Sequence, residues 1–221
     1  MNLRLNRALF PVTTLGYGRR LGLWTQGCSI RCAGCVSRDT WEPAGGFEIA
    51  PSELVAACGS WLRQADGVTL TGGEPTEQPA AVVELLRILH ACFDGDILLY
   101  SGRDFAELGD HPIVREKLVD VLISGPYDES AGQTLLLRGS DNQRAHLLTE
   151  RALSRYPEDL DTQPWRGRRK LDFFPGEDGV VMDGIPMPGW GNRLCDSMSR
   201  RGFTANTSEQ RKISTAETSK R

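Results

Sequence analysis

The 221-residue chain has no long hydrophobic run: no uninterrupted apolar stretch approaches the roughly 18–20 residues needed to cross a bilayer. Its opening, Met1-Asn2-Leu3-Arg4-Leu5, lacks the apolar core of a secretion signal, which predicts a cytoplasmic protein with no membrane partner. Charge of one sign is also missing. Lys and Arg number 26 against 29 Asp and Glu, the net charge is −3 and the pI is about 5.7, so nothing draws the whole chain toward nucleic acid. The three histidines, His90, His111 and His146, have no mutual ligand spacing and read as surface or local hydrogen-bonding residues. Gly16-Tyr17-Gly18 does not extend into a dinucleotide fingerprint, because the third glycine falls one residue late, at Gly22. No repeat is found beyond an alternation of strands and helices. What is there is ordinary globular material, 39% hydrophobic and 25% charged, in a length that fits one domain with a sizeable core and short appendages.

Cysteine is the exception to this plainness. Of six, three are crowded as Cys28-x3-Cys32-x2-Cys35 in a glycine-flanked loop, while Cys58, Cys92 and Cys195 are scattered. A secreted disulfide scaffold is shorter and denser in cysteine, so the crowding favours metal in a reducing compartment. Three thiolates can hold three corners of an iron–sulfur cube and leave the fourth iron open to a small molecule. The alternative is a structural zinc site with Cys58, Cys195 or a histidine as fourth ligand, but such sites more often show two close ligand pairs and no second pair exists here. Cys58 and Cys92 fall in or at the end of amphipathic helices and read as small buried side chains, and Cys195 reads as structural.

The rest of the pattern is strand, turn, helix, repeated. Leu3 to Arg7 alternates as an early strand, and Leu21 to Thr25 enters the core before Gly27 turns the chain into Cys28. Pro51 opens a helix over 51–64 whose buried face carries Leu54, Val55, Cys58, Trp61 and Leu62. Trp24 and Trp61 read as core. Val68-Thr69-Leu70 runs into Gly72-Gly73-Glu74-Pro75, and Thr76 is placed to cap the next helix, with Val82, Val83, Leu86, Leu89 and Phe93 inward. Strands follow at 97–100, ended by Ser101-Gly102, and at 119–123, ended by Ser124-Gly125-Pro126, with short helical segments at 103–108 and 112–117 between them. Leu135-Leu136-Leu137 suggests a further strand, 161–170 with Trp165, Arg166, Arg168, Arg169 and Lys170 an exposed basic loop, Val180 to Met182 a late strand, and 190–201 a short helix. Arg19 and Arg20 read as facing solvent or an acidic partner. Apolar strands alternating with helices predict an α/β fold, a mostly parallel sheet curled into a partial barrel, whose ligands gather at the carboxyl ends of the strands. Cys28, Gly72–Pro75, Ser101 and Ser124 all fall at such ends. The expected layout is a single domain over 1–203, with a motif-bearing core at about 15–145, an extension at about 150–203 and a disordered tail at 204–221.

The ordered set Gly27-Cys28-Ser29-Ile30-Arg31-Cys32-Ala33-Gly34-Cys35, Gly72-Gly73-Glu74-Pro75, Leu99-Tyr100-Ser101-Gly102, Asp120 to Pro126 and Leu137-Arg138-Gly139-Ser140-Asp141-Asn142-Gln143 resembles the radical S-adenosylmethionine activating enzymes, above all the activators of anaerobic ribonucleoside-triphosphate reductase. The resemblance implies a partial (β/α) barrel of the radical SAM type and a 4Fe–4S cluster on Cys28, Cys32 and Cys35. It further implies S-adenosylmethionine chelating the fourth iron, and reductive cleavage to a 5′-deoxyadenosyl radical that abstracts hydrogen. Gly72, Gly73, Glu74 and Pro75 would hold the methionine amino group, Ser101 the ribose or carboxylate, and Arg138, Ser140 and Asn142 the carboxylate or adenosyl part. The implied partners are a glycyl-radical enzyme such as anaerobic ribonucleotide reductase and a low-potential donor such as flavodoxin or ferredoxin. Radical modification of another peptide or metabolite, and noncatalytic electron transfer, are the alternatives. Two positions depart from the pattern: Gly34 stands where an aromatic often precedes the third cysteine, which the reductase activators tolerate, and Ser124 stands where those activators often carry an acid.

Overall fold

The computed structural model describes residues 1–176 and 179–204; from residue 205 on, the expected tail lies outside the described residues. Its strands and helices run β1 (Leu3–Val12), β2 (Arg20–Thr25), β3 (Phe47–Ile49), α1 (Pro51–Ala57), α2 (Gly59–Leu62), β4 (Gly67–Gly72), α3 (Pro79–Cys92) and β5 (Asp96–Tyr100). They continue α4 (Phe105–Leu108), α5 (Pro112–Arg115), β6 (Val121–Ser124), β7 (Arg144–Leu147), α6 (Glu150–Arg155), β8 (Leu171–Gly176), β9 (Gly179–Gly184) and α7 (Trp190–Ser199). Seven strands form one sheet in the order β3-β1-β2-β4-β5-β6-β7, and β8 and β9 form a separate antiparallel pair.

The fold is α/β with alternating strands and helices, but the sheet is mixed. The pairings β2–β4, β4–β5 and β5–β6 are parallel, whereas β3–β1, β1–β2 and β6–β7 are antiparallel. The expectation of mostly parallel strands is therefore corrected at both edges. The physical reason at the first edge is length: the loop 13–19 is too short for the crossover of a dozen or more residues that a parallel return needs. At the other edge the Leu135-Leu136-Leu137 run does not form the expected strand. Leu137 sits at φ 60°, and Leu135 makes only an isolated bridge to Pro164. The strand is Arg144–Leu147 instead, whose Ala145 and Leu147 pack inward.

The pleat divides the core in two. Leu21, Leu23, Val68, Leu70, Ile97, Leu99 and Leu122 point to one face, where Leu54 of α1 and Val82, Leu85, Leu86 and Leu89 of α3 cover them. Leu98, Val121 and Ile123 point to the other, against Ala145, Ala152, Tyr156 and Leu160. Trp24 continues that second face with Val12, Leu15 and Ile185. The residues after 150 thus supply a layer over the sheet. The helix expected over 51–64 is broken at Cys58, with φ −86° and ψ 3°, where Gly59 follows. Thr76 does not cap α3: it lies in a short 3-10 turn, Pro75–Glu77, and α3 begins at Pro79 after Gln78. Cys92 is exposed rather than buried, because it closes the last turn of α3 on the outer side. No helix among the described residues is long and apolar enough to cross a membrane.

Arg20, read from sequence as facing solvent or a partner, is completely buried on the second face. Its guanidinium pairs with the equally buried Asp96 at 2.9 Å, donates to Thr69 Oγ1 at 2.6 Å and to the Val68 carbonyl at 2.7 Å, while Tyr156 donates its hydroxyl to Asp96 at 2.8 Å. Tyr156 follows α6, so this network ties the late segment to β2, β4 and β5. Removing one partner of such a pair leaves an uncompensated charge in the interior. Asp96→Ala is expected to cost about 3–5 kcal/mol in chemical denaturation, and the double variant Arg20→Met with Asp96→Leu much less than twice that.

Candidate functional site

The site is assembled where β2, β4, β5 and β6 end. Past Thr25, Gly27 donates its amide to the Thr40 carbonyl at 2.7 Å and Cys28 to the Trp41 carbonyl at 3.0 Å, which fixes the start of the cysteine loop. Cys35 closes a turn onto the Cys32 carbonyl at 3.2 Å. The loop after β4 is bonded to the loop after β2: Gly73 N–H donates to the Thr25 carbonyl and Glu74 N–H to the Gly27 carbonyl, both at 2.8 Å. Gly72 has φ +106°, and a Cβ on Gly73 would collide with the Gly27 carbonyl, so the approach of the two loops requires glycine at both positions.

Glu74 is buried, and its carboxylate is a junction. One oxygen accepts from Thr76 N–H at 3.0 Å, Thr76 Oγ1 at 2.6 Å and Ser101 Oγ at 2.9 Å; the other accepts from Gly102 N–H at 2.8 Å. It binds the end of β4 to the end of β5. Glu77, which the sequence reading passed over, accepts from Ser29 N–H at 3.0 Å and from the Ser29 hydroxyl, and so holds the cysteine loop one residue past Cys28. Its signal was its place one turn beyond the Gly72–Pro75 motif.

Around these loops lies one cavity with about 1180 Å³ of empty space including its open mouth. Cys28, Cys32 and Cys35 line it together with Gly72, Gly73, Glu74 and Ser101. The thiols are in a setting suited to holding an iron–sulfur cube. Burial pushes the Cys28 thiol up, opposed by the Arg31 and Ile30 backbone N–H groups and reinforced by Glu74 and Glu77. Burial likewise raises Cys35, opposed by the Ser37 backbone N–H and by the Trp41 side chain. N–H groups turned toward sulfur are what a cluster-bound thiolate needs once it is charged. Among the described residues no group of three or more His, Cys, Asp or Glu side chains could hold a single metal ion, and Cys58 and Cys195, offered as a fourth zinc ligand, do not line the cavity. A cube asks for something else, since each thiolate binds its own iron.

Not every sequence-derived residue lines this cavity. Pro75 is buried behind it, at the head of the 3-10 turn. Arg138 is buried with its guanidinium donating to the carbonyls of Asp161 at 2.6 Å and Leu160 at 2.7 Å. Ser140 Oγ accepts from Asp128 N–H at 3.0 Å, and Asn142 donates to the Pro126 carbonyl at 2.8 Å. Their neighbours Gly139 and Gln143 line the cavity instead. Ser124 bonds His146 at 2.9 Å, while His90 bonds the Leu118 carbonyl at 2.9 Å and His111 accepts from Ile113 N–H at 3.2 Å, local roles in each case. The lining also includes Trp24, read as core, and Arg7, Trp41, Tyr127 and Gln133, together with Met182 to Pro186 from the late segment. No motif marks these positions; the fold alone brings them in. Within that set Asp183 is 5% exposed, and burial and the nearby Asp172 push its carboxyl up to about 7, against the Gly184 N–H, Arg7 and Thr14, which favour the ionised form.

Comparison with known proteins agrees with this construction. Residues 14–146, more than half of the chain, match the family described as a 4Fe-4S single cluster domain, so the class is an iron–sulfur protein. The chain is similar to the anaerobic ribonucleoside-triphosphate reductase-activating protein of Vibrio cholerae serotype O1, 32% identical over 148 residues that make up 63% of this chain and 96% of that protein. It is similar to the protein of the same description from Enterobacteria phage T4, 34% identical over 134 residues, 58% of this chain and 84% of that one. A shorter match joins it to the pyruvate formate-lyase 1-activating enzyme of Escherichia coli (strain K12), 33% identical over 91 residues and 37% of each chain. The chain belongs to the radical S-adenosylmethionine activating-enzyme family, and is an enzyme of that oxidoreductase type.

Two expectations follow from the geometry. Gly73→Ala forces the two loops apart, and anaerobically reconstituted protein is expected to retain its far-ultraviolet dichroism while taking up less than half the parent's iron and sulfide, about the scale of an occupancy set by a strained loop. Asp183, whose folded value of about 7 lies above its ordinary 3.8, binds its proton more tightly in the folded state. The stability this lends is complete below pH 3.8 and is lost as pH rises through about 7. Thermal melts should therefore show the parent losing stability over that window relative to Asp183→Asn.

Proposed function

We propose that this enzyme reductively cleaves S-adenosylmethionine at a 4Fe–4S cluster held by Cys28, Cys32 and Cys35 and directs the resulting 5′-deoxyadenosyl radical at a glycine of a partner protein. The observation that carries the reading is the joint lining of one cavity by the three thiols and by Gly72, Gly73, Glu74 and Ser101. The bound group supplies the one-electron chemistry; the chain's own residues hold and orient it. The parallel strands β2, β4, β5 and β6 are read as the retained part of a partial (β/α) barrel, all ending at the cavity. Backbone at Gly72 and Gly73, which lines the cavity, would meet the methionine amino group, and Ser101 the ribose or carboxylate. Glu74 and Pro75 fix that loop. Arg138, Ser140 and Asn142 act at one remove, by setting the loop that presents Gly139 and Gln143.

One feature bears on the departure at Gly34. A Cβ there would come within 3.1 Å of the Tyr127 ring, which lines the same cavity. An aromatic is thus present beside Gly34 although the motif lacks one, and Tyr127 is read as the ring on which adenine rests. The names of the activators above support an acceptor of the kind they activate, anaerobic ribonucleotide reductase among them. A low-potential donor such as flavodoxin or ferredoxin and a cytoplasmic setting belong to the same proposal. On the same reading the described residues form one domain.

The test is anaerobic. Reduced, reconstituted protein should release 5′-deoxyadenosine and methionine from S-adenosylmethionine. Cys28→Ala, Cys32→Ala and Cys35→Ala should each lower the rate by about a thousandfold or more. Electron paramagnetic resonance should show the cofactor perturbing the reduced cluster, and a glycyl radical on a co-incubated glycyl-radical enzyme. Cofactor cleavage without that radical would move the substrate to another peptide or metabolite; an unperturbed cluster would favour electron transfer.

A further inference from the structure

Met182, Asp183, Gly184, Ile185 and Pro186 line the cavity consecutively, as a second wall beside the cysteine loop. This stretch ends β9 and lies beyond residues 14–146, the part that matches the iron–sulfur family. It is a built wall. Asp172 on β8 accepts from Thr13 N–H at 2.6 Å and Thr13 Oγ1 at 2.9 Å, Gln133 donates to the Pro186 carbonyl at 3.0 Å, and the Arg169 guanidinium, stacked 4.5 Å over Trp165, reaches the carbonyls of Gln133 and Ile185. The basic loop expected near Trp165 is in part this clamp.

Asp183 is the acid of the wall. Its oxygen lies 3.3 Å from Thr14 Oγ1, but the same hydroxyl lies 3.1 Å from Asp172, and a threonine has one proton to give. None of the ion pairs among the described residues uses Asp183. Arg7, which faces it, is engaged elsewhere through one guanidinium nitrogen, pairing with Asp39 and donating to Asn6 Oδ1 at 2.6 Å. It lies 4.9 Å over the Trp24 ring, and its buried Nε has no hydrogen-bond partner among the described residues. The apolar Leu15, Trp24 and Ile185 line the same cavity as Asp183. A buried carboxyl with spare acceptor capacity, a face on a cavity and a facing arginine, Arg7, that makes no ion pair with it is arranged to receive a positive group from outside the chain.

We propose that the late segment forms the substrate half of the cavity and that Asp183 recognises an aliphatic cation, an ammonium or guanidinium, carried by the substrate. The proposal rests on the reading of the cavity as the place where the cofactor meets its substrate, and deepens it: the acceptor is a peptide segment with a lysine or arginine near the attacked position, or a small amine. The groups facing Asp183 are Arg7 from β1, Asp172 from β8, the Thr14 hydroxyl and Tyr100 from β5. A cation is held by the ionised acid, so its binding strengthens as pH rises through about 7 and fades below it.

Cluster-loaded protein with S-adenosylmethionine present is titrated by calorimetry with N-acetyl-lysine amide, N-acetyl-arginine amide and N-acetyl-norleucine amide. At pH 8 at least one cationic amide should bind about tenfold or more tighter than the norleucine amide, and the preference should shrink at pH 6. Asp183→Asn should erase the preference. Asp172→Asn, which loosens the wall and removes a negative neighbour of Asp183 but leaves that acid in place, should lower the melting temperature and keep the preference at pH 8. Equal affinity for all three amides, binding of none, a preference that survives Asp183→Asn, or equal loss in both variants each overturns the proposal. So does loss of S-adenosylmethionine affinity in Asp183→Asn with the amide preference intact, since the acid would then serve the cofactor. Failure of the radical reading is separate, and shows as absent deoxyadenosine release.

Discussion

Two backbone hydrogen bonds hold the site in place: Gly73 N–H to the Thr25 carbonyl and Glu74 N–H to the Gly27 carbonyl. They carry the pairing of β2 with β4 past the end of the regular sheet, so that the cysteine loop and the glycine-rich loop emerge as one surface. Thr25 already pairs with Gly72 in the last rung, and only residues without a side chain let the next rung form. Glu74 then passes the constraint sideways to Ser101 and Gly102, and Gly125 N–H continues it to the Arg103 carbonyl at 2.8 Å. Four strand ends are thereby registered against one another by short polar links, and Cys28, Cys32 and Cys35 take their positions from that register together with the bonds of their own loop.

Beneath the rim the sheet carries a charge that the interior would not tolerate alone. Arg20 and Asp96 neutralise each other at the centre of the second face, and Thr69, Val68 and Tyr156 take up the remaining donors and acceptors. Well-satisfied buried pairs contribute little net stability compared with apolar residues of like volume, but they are unforgiving about geometry. Here the pair demands that the segment after α6 lie against the sheet, because Tyr156 is the hydroxyl that completes Asp96. The same docking leads the chain on to β8 and β9 and so to the cavity wall.

Much of the frame was legible in sequence because its signals are local. An apolar run ending in glycine gives β2, β4 and β5; the spacing of Val82, Val83, Leu86 and Leu89 gives α3; the crowding of Cys28, Cys32 and Cys35 gives the loop whose three thiols line the cavity. Features set by distant partners were not. Arg20 looked like a surface residue because Asp96 and Tyr156 are far along the chain. The leucines at 135–137 looked like a strand because composition does not register that Leu137 adopts a left-handed conformation, where Asp141 caps Thr134 and Leu135 at 2.6 and 2.9 Å. Arg138, Ser140 and Asn142 were chosen for their chemistry, yet their side chains fasten the loop while Gly139 and Gln143 reach the cavity. Sequence pointed to a loop that reaches the cavity and not to the atoms it offers there.

The cavity therefore has two authors within one chain. The wall bearing Cys28, Cys32 and Cys35 belongs to the stretch that matches the iron–sulfur family, whereas Met182 to Pro186 belong to a stretch outside that match. If the second stretch selects the substrate, as proposed, changes there alter what is admitted without touching Cys28, Cys32, Cys35 or the Gly72–Gly73 turn. On the proposed reading, reactivity and selectivity are carried by separate stretches of one polypeptide, so a substitution on β9 has no covalent neighbour among the three thiols.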